Sequence, residues 1–200
     1  MDGLDWAASA MNAARRRLET AAENLANAST GGFRKRAVRG FLTALGAQTN
    51  VVAGETQGAL RRTGGAADLA LLGPGAFRVR DSSGRIETTR DGAFSRDGAG
   101  RLVDVRGRAL MSERGPLCFP AGARLNVDGA VVDGSRVIDR LPMPRGTTVR
   151  VGFLEASNVD ATSEMVDLIA AQRSFETAER VFAAIDGTRQ KSSDDVGRLR

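Results

Sequence analysis

Residues 4–28, LDWAASAMNAARRRLETAAENLANA, place Leu4, Met11, Leu18 and Leu25 at seven-residue intervals, with Ala7, Ala14, Ala21 and Ala28 three residues after each. Such a heptad lays an apolar stripe along one side of a wet helix, and that stripe needs another helix to cover it. The far end of the chain answers it. There Leu168, Phe175 and Phe182 recur with the same period, and Ala171, Ala178 and Ile185 fill the second position. The spacing predicts a first helix from about Leu4 to Asn27 and a closing helix to about Asp186, entered near Ser157-Asn158-Val159-Asp160. Ser157, Asn158 and Asp160 are the candidate caps.

Between these ends the period changes from helical to alternating. Asp68-Leu69-Ala70-Leu71-Leu72, Ala76-Phe77-Arg78-Val79-Arg80 and Arg101-Leu102-Val103-Asp104-Val105 read as short strands. Asp81-Ser82-Ser83-Gly84, Asp91-Gly92, Asp97-Gly98-Ala99-Gly100, Asp128-Gly129 and Asp133-Gly134 separate them. Asp-Gly pairs between alternating runs signal hairpins, because the turn needs positive φ. About seven strands of mostly antiparallel pairing are expected, with Val149–Leu154 as a last one. The fold class is α+β, a discontinuous helical layer built from the two long terminal helices, with a β domain inserted. The expected organisation is an N-terminal helix over 1–33 paired with 155–189, an extended or partly helical linker over 34–57, a β domain over 58–154, and a frayed polar tail over 190–200.

Composition narrows function mostly by exclusion. The chain of 200 residues has no histidine and no tyrosine, and its one cysteine, Cys118, cannot close an internal disulfide. Without histidine the usual general base and the commonest metal ligand are missing, so no catalytic, cofactor-binding or metal-binding residue is assigned. Cys118, between Leu117 and Phe119, reads as a small buried hydrophobe. Gly73-Pro74-Gly75 is only a fragment of a phosphate loop, and the turn aspartates lack the ligand pattern of a calcium loop. No apolar run reaches the ~20 residues of a membrane span, and Asp2 and Asp5 sit where a secretory leader would be basic.

The net charge of +5 raises a second reading, a basic nucleic-acid-binding module with a helical dimerisation element. Arg15-Arg16-Arg17, Arg34-Lys35-Arg36 and Arg61-Arg62 would be its contacts. No aromatic residues interleave these clusters as stacking platforms. Residues 1–40 carry seven basic and four acidic side chains and residues 151–200 six and nine, so the two helical ends are of opposite sign and suited to pairing.

The stretch Glu23-Asn24-Leu25-Ala26-Asn27-Ala28-Ser29-Thr30-Gly31-Gly32-Phe33-Arg34 resembles the N-terminal signature of bacterial flagellar axial proteins, which in the rod and hook family runs roughly N-N-L-A-N-x-x-T-x-G-F-K. Leu154-Glu155-Ala156-Ser157-Asn158-Val159 and Gln172-Arg173-Ser174-Phe175-Glu176 are similar to that family's C-terminal helix. Gln57-Gly58-Ala59-Leu60, Thr89-Arg90-Asp91-Gly92-Ala93-Phe94 and Gly100-Arg101-Leu102-Val103 follow in the order of the proximal and distal rod proteins. Glu23, Ala76 and Thr88 depart from that pattern, and Ser135–Arg150 is short against it.

The resemblance implies a structural subunit that stacks helically into a hollow drive shaft in the flagellar basal body and is exported by the flagellar apparatus with an uncleaved N-terminus. Its partners would be copies of itself and other rod and hook proteins, with no small-molecule substrate and no nucleic acid. Leu4, Met11, Leu18, Leu25, Leu168, Phe175, Phe182 and Ile185 are the expected assembly positions. Asn24, Asn27, Thr30, Gly32, Phe33, Ser157 and Asn158 are expected at the joint between helix and β domain.

Overall fold

The computed structural model describes residues 3–43 and 46–198. Two helices bracket fourteen strands: α1 (Gly3–Ala26), β1 (Arg36–Thr43), β2 (Gly46–Ala53), β3 (Leu60–Arg62), β4 (Leu69–Leu72), β5 (Phe77–Arg80), β6 (Ile86–Thr89), β7 (Phe94–Arg96), β8 (Leu102–Asp104), β9 (Ala109–Leu110), β10 (Arg124–Leu125), β11 (Ala130–Asp133), β12 (Arg136–Arg140), β13 (Thr148–Val151), β14 (Phe153–Glu155) and α2 (Ala161–Arg198). The chain divides into two compact units. One holds Met1–Ala28, Lys35–Gly54 and Val159–Arg200, the other Ser29–Arg34 and Glu55–Asn158.

In the helical unit α1 and α2 run antiparallel. Asn24 meets Glu164 at one end, and a Cβ on Gly3 would stand 3.8 Å from Ile185 Cδ1 at the other. The alanines of the heptads form the seam: Ala7, Ala14, Ala21 and Ala171 are all buried. Small side chains bring two helix backbones close, and the larger heptad residues then lie along the flanks of the contact. The stretch read as an extended or partly helical linker is an antiparallel hairpin in full register, from Arg36 opposite Ala53 to Thr43 opposite Gly46.

α1 ends at Ala26, one residue short of the expected Asn27, whose side-chain amide donates to Glu23 O and closes the last turn. α2 does not stop before Gly187 or fray from 190 but continues to Arg198. One glycine costs a helix interior only about 1 kcal/mol, too little to end a long one. Of the candidate caps Asp160 serves, its Oδ1 accepting the Ser163 N–H at 2.9 Å.

The β unit has one core, in which Leu69, Leu71, Phe77, Val79, Phe94, Leu102, Leu110, Leu117, Val131 and Val149 are buried. Phe77 and Phe94 meet edge to face at 5.4 Å. Its sheets are a five-stranded antiparallel one ordered β6-β5-β9-β8-β7, a three-stranded one ordered β10-β11-β12, and the pairs β13-β4 and β14-β3. Gly152, at φ +78, divides the expected last strand into β13 and β14. Cys118 is exposed, contrary to the sequence reading, because Leu117 and Phe119 on either side take the inward positions.

Three turns of this unit repeat one pattern, Asp-x-x-Gly-Arg, at Asp81–Arg85, Asp97–Arg101 and Asp104–Arg108. In each, the aspartate Oδ1 accepts the N–H groups two and four residues on. The glycine supplies positive φ at the third position (Gly84, Gly100 and Gly107), and the arginine closes on its own aspartate. This is a three-residue hairpin loop with a glycine bulge, so the strained position falls three residues after the aspartate and not in the Asp-Gly pair at Asp97-Gly98.

These turns govern the response to pH. The Ser83 hydroxyl above all holds the Asp81 carboxyl below its ordinary 3.8, and the Arg101 backbone N–H above all does so for Asp97. Burial pushes Asp104 up, but the Arg108 and Arg106 donors outweigh it and the net direction is down. A depressed folded-state value contributes stability above 3.8 that is lost as the pH falls through it. With no histidine or tyrosine in the chain, the melting temperature should stay flat between about pH 6 and 8 and fall only below about pH 4. A calorimetric step of several degrees within the neutral range would contradict this.

Candidate assembly site

The surface chemistry of the helical unit starts from the heptads. With the alanines used up inside the seam, Met11, Leu18, Leu25, Leu168, Phe175, Phe182 and Ile185 are each left half-buried. The side chain of Leu4 lies outside the described residues. A second apolar set, not singled out in the sequence, is exposed: Trp6, Met165, Val166, Ile169 and Val181. At 100° per residue Val166, Ala170, Thr177, Val181 and Ala184 fall within about 60° of one another. They form a small-residue face on α2 apart from its seam, and all five are exposed. Beside it an open groove of about 460 Å³ runs between α1 and α2, lined by Ala7, Ala10, Arg173, Ser174, Thr177, Ala178 and Val181. The signal that would have found this face is the recurrence of Val166, Ala170, Thr177, Val181 and Ala184 at steps of four, seven, four and three residues, off the heptad positions.

The residues expected at the joint separate into two groups. Within the helical unit, Asn24 is buried and pairs with the backbone of Arg36 in both directions, accepting its N–H at 2.8 Å and donating to its carbonyl at 2.9 Å. The same amide donates to Glu164 Oε2 at 3.0 Å. Lys35 closes on Glu164 Oε1, and Asp167 lies 3.7 Å from its ammonium. The hydrogen bond to Glu164 raises the Lys35 pKa above its ordinary 10.5. Asn24 thus fixes the start of β1 on the last turns of α1, a role its type and place suggested. Glu164 and Lys35 were not legible as its partners, since they meet only through the fold.

Within the β unit, Gly32 has φ +66 and donates its N–H to Glu155 O at 2.8 Å. Phe33 O accepts the Asn158 N–H at 3.3 Å, and the Asn158 amide donates to Thr56 O at 2.8 Å. Thr30 is exposed and Ser157 half-buried. Underneath sits a pair that the sequence reading missed, Arg90 and Glu155, both buried. The Arg90 guanidinium donates to Glu155 Oε2 at 2.8 Å and to the carbonyls of Leu71, Gly73 and Gly75 at 2.8, 3.0 and 2.6 Å. One side chain thereby ties β4, the turn after it and β14 to the segment carrying Gly32. Only a fully paired charge of this kind is tolerated out of water.

Among the described residues no group of three or more metal-ligating side chains comes together, and no helix is long and apolar enough to cross a membrane. The basic cluster Arg34-Lys35-Arg36 is neutralised internally. Arg34 lies 3.9 Å from Glu155, Lys35 closes on Glu164, and Arg36 meets Glu23 at 2.8 Å.

Three families match the chain in succession: the flagella basal body rod protein family over residues 4–34, the flagellar hook protein FlgE/F/G D1 domain over 70–149, and the C-terminal family of flagellar basal body rod FlgEFG proteins over 150–194. The chain is 31% identical to the flagellar basal-body rod protein FlgF of Rhizobium meliloti, over 98% of both chains. It is 30% identical to FlgF of Escherichia coli, over 82% of this chain and 86% of that one. It is 27% identical to the rod protein FlgG of Agrobacterium fabrum, over 93% of this chain and 96% of that one. The first alignment runs over 241 positions, so that relative carries residues this chain of 200 lacks.

Proposed function

The chain belongs to the flagellar basal-body rod and hook protein family, and on that premise we propose that it is a rod subunit that self-assembles through its terminal helices and carries torque from motor to hook. The basal body is its place, and its role is structural. The observation that carries the proposal is the exposed face of Val166, Ala170, Thr177, Val181 and Ala184, beside a groove lined, apart from Arg173, by small residues. An amphipathic helix pair that has already closed its own seam has no internal use for a second apolar face. Small side chains there admit a neighbouring helix at close range, and many such contacts repeated along an axis give a stiff shaft. The half-exposed flanks of Met11, Leu18, Leu25, Leu168, Phe175, Phe182 and Ile185 are covered by the same neighbours, which are copies of the chain and other rod and hook proteins. Cleavage within α1 would remove half of the seam, so export by the flagellar apparatus leaves this helix intact.

The test uses Val166→Asp with Val181→Asp. Both side chains are exposed, so the melting temperature of the isolated chain should hardly move, within about 0.5 kcal/mol of stability. Complementation of a deletion strain with this variant should yield no external filament and no motility. Normal motility with the substituted protein would defeat the proposal.

A further inference from the structure

The charge of this chain is unevenly placed. The β unit holds 17 basic and 12 acidic side chains, and the helical unit 12 of each, so the whole excess of +5 belongs to the β unit. Part of that excess stands on one face of the five-stranded sheet. Phe77 and Val79 of β5 point into the core, so Arg78 and Arg80 take the opposite face. The register carries that face across all five strands in a single row: Ile86 opposite Arg80, Arg80 opposite Ala109, Ala109 opposite Val103, Val103 opposite Ser95. At ~4.8 Å between strands the row is about 19 Å wide.

Neither Arg78 nor Arg80 has a carboxylate within salt-bridge distance among the described residues. The neighbouring acids are already taken: Asp81 and Glu87 by Arg85, Glu87 and Asp104 by Arg108, and Asp97 by Arg101. The outer face of an antiparallel sheet is normally polar. This one is apolar at its centre and cationic beside it, with Ile86 44% exposed.

We propose that this face docks an acidic protein surface. A second copy of the same unit is repelled by its like charge, so the face is not a contact between sister β units. Phe33, Phe77, Phe94, Phe119 and Phe153, the aromatics of this unit, are all buried or half-buried. No aromatic platform therefore offers itself to bases. Arginine is enriched at protein interfaces, and its guanidinium fork is matched to carboxylates.

The experiment measures binding of labelled poly-L-glutamate and labelled polyphosphate to the full chain at low salt. The chain should hold polyglutamate more tightly than polyphosphate. Arg78→Glu with Arg80→Glu should weaken polyglutamate binding about tenfold. The same charge change at Arg124 and Arg136, on the other sheet, should cost less than about twofold. Arg78→Gln with Arg80→Gln should give an intermediate loss at an unchanged melting temperature, which separates lost contact from lost fold. Equal losses from the two Glu pairs would reduce the effect to net charge and overturn the proposal. So would no polyglutamate binding, or a preference for polyphosphate. The assay reads the isolated chain, so its failure leaves the assembly reading standing.

Discussion

Replacing Glu155 with alanine is expected to destabilise the β unit by about 3–5 kcal/mol, the cost of leaving a buried guanidinium without its counter-charge. Arg90 would keep the carbonyls of Leu71, Gly73 and Gly75, but those are neutral acceptors, and the site gives it no access to water. Arg90→Met alone should be nearly as harmful. Glu155 would then keep only the Gly58 N–H at 3.3 Å, the Gln57 amide at 3.4 Å and Arg34 at 3.9 Å. Arg90→Met together with Glu155→Leu should recover part of the loss, because removing both charges also removes their desolvation. Urea unfolding of the parent, Arg90→Met, Glu155→Leu and the double variant gives the coupling directly. A Glu155→Ala stability within about 1 kcal/mol of the parent would show that the pair carries little of the fold.

The second large effect is expected at Gly92, whose φ is unremarkable and whose importance is entirely spatial. A Cβ there would stand 1.5 Å from Leu69 O and 2.6 Å from Leu69 C, so alanine can enter only if β4 moves. The Gly92 carbonyl also accepts the Leu69 N–H at 3.0 Å, so moving β4 breaks that bond as well. Gly92→Ala should cost about 3 kcal/mol or more, at the upper end of what overpacked cores show. Gly84→Ala is the contrast. It sits at φ +87 with nothing within 4 Å of the new Cβ, so only the left-handed backbone resists, at about 1–2 kcal/mol. If the two glycines responded alike, the close approach at Gly92 would be shown to relax without cost.

The two terminal helices and their seams were readable, though not their antiparallel sense, because a seven-residue period is a local property, repeated often enough in Leu4–Ala28 and Leu168–Ile185 to stand above noise. The β unit was readable for the same kind of reason, since alternation and glycine turns are short-range. The third repeat of the turn pattern, Asp104-Val105-Arg106-Gly107-Arg108, is visible in the sequence, but Asp104-Val105 also continues the run begun at Arg101 and so reads as strand. Residues 36–53 carried no strong period, and only their pairing with each other makes them a hairpin. Asn24 could be picked out by its place in the signature, whereas Glu164 and Lys35 could not be joined to it.

Period and turn chemistry, written within a dozen residues, therefore determined the α+β class and the two seams, and the motifs at Glu23–Arg34, Leu154–Val159 and Gln172–Glu176 carried the family resemblance. Tertiary structure alone decided which seam residues are buried and which are left outside, because a helix shows several faces and only its packing chooses among them. It also decided that Arg90 and Glu155, 65 residues apart, become one buried pair. A charge in a sequence has no depth until the chain closes over it, and the cost of that depth is what makes the pair matter.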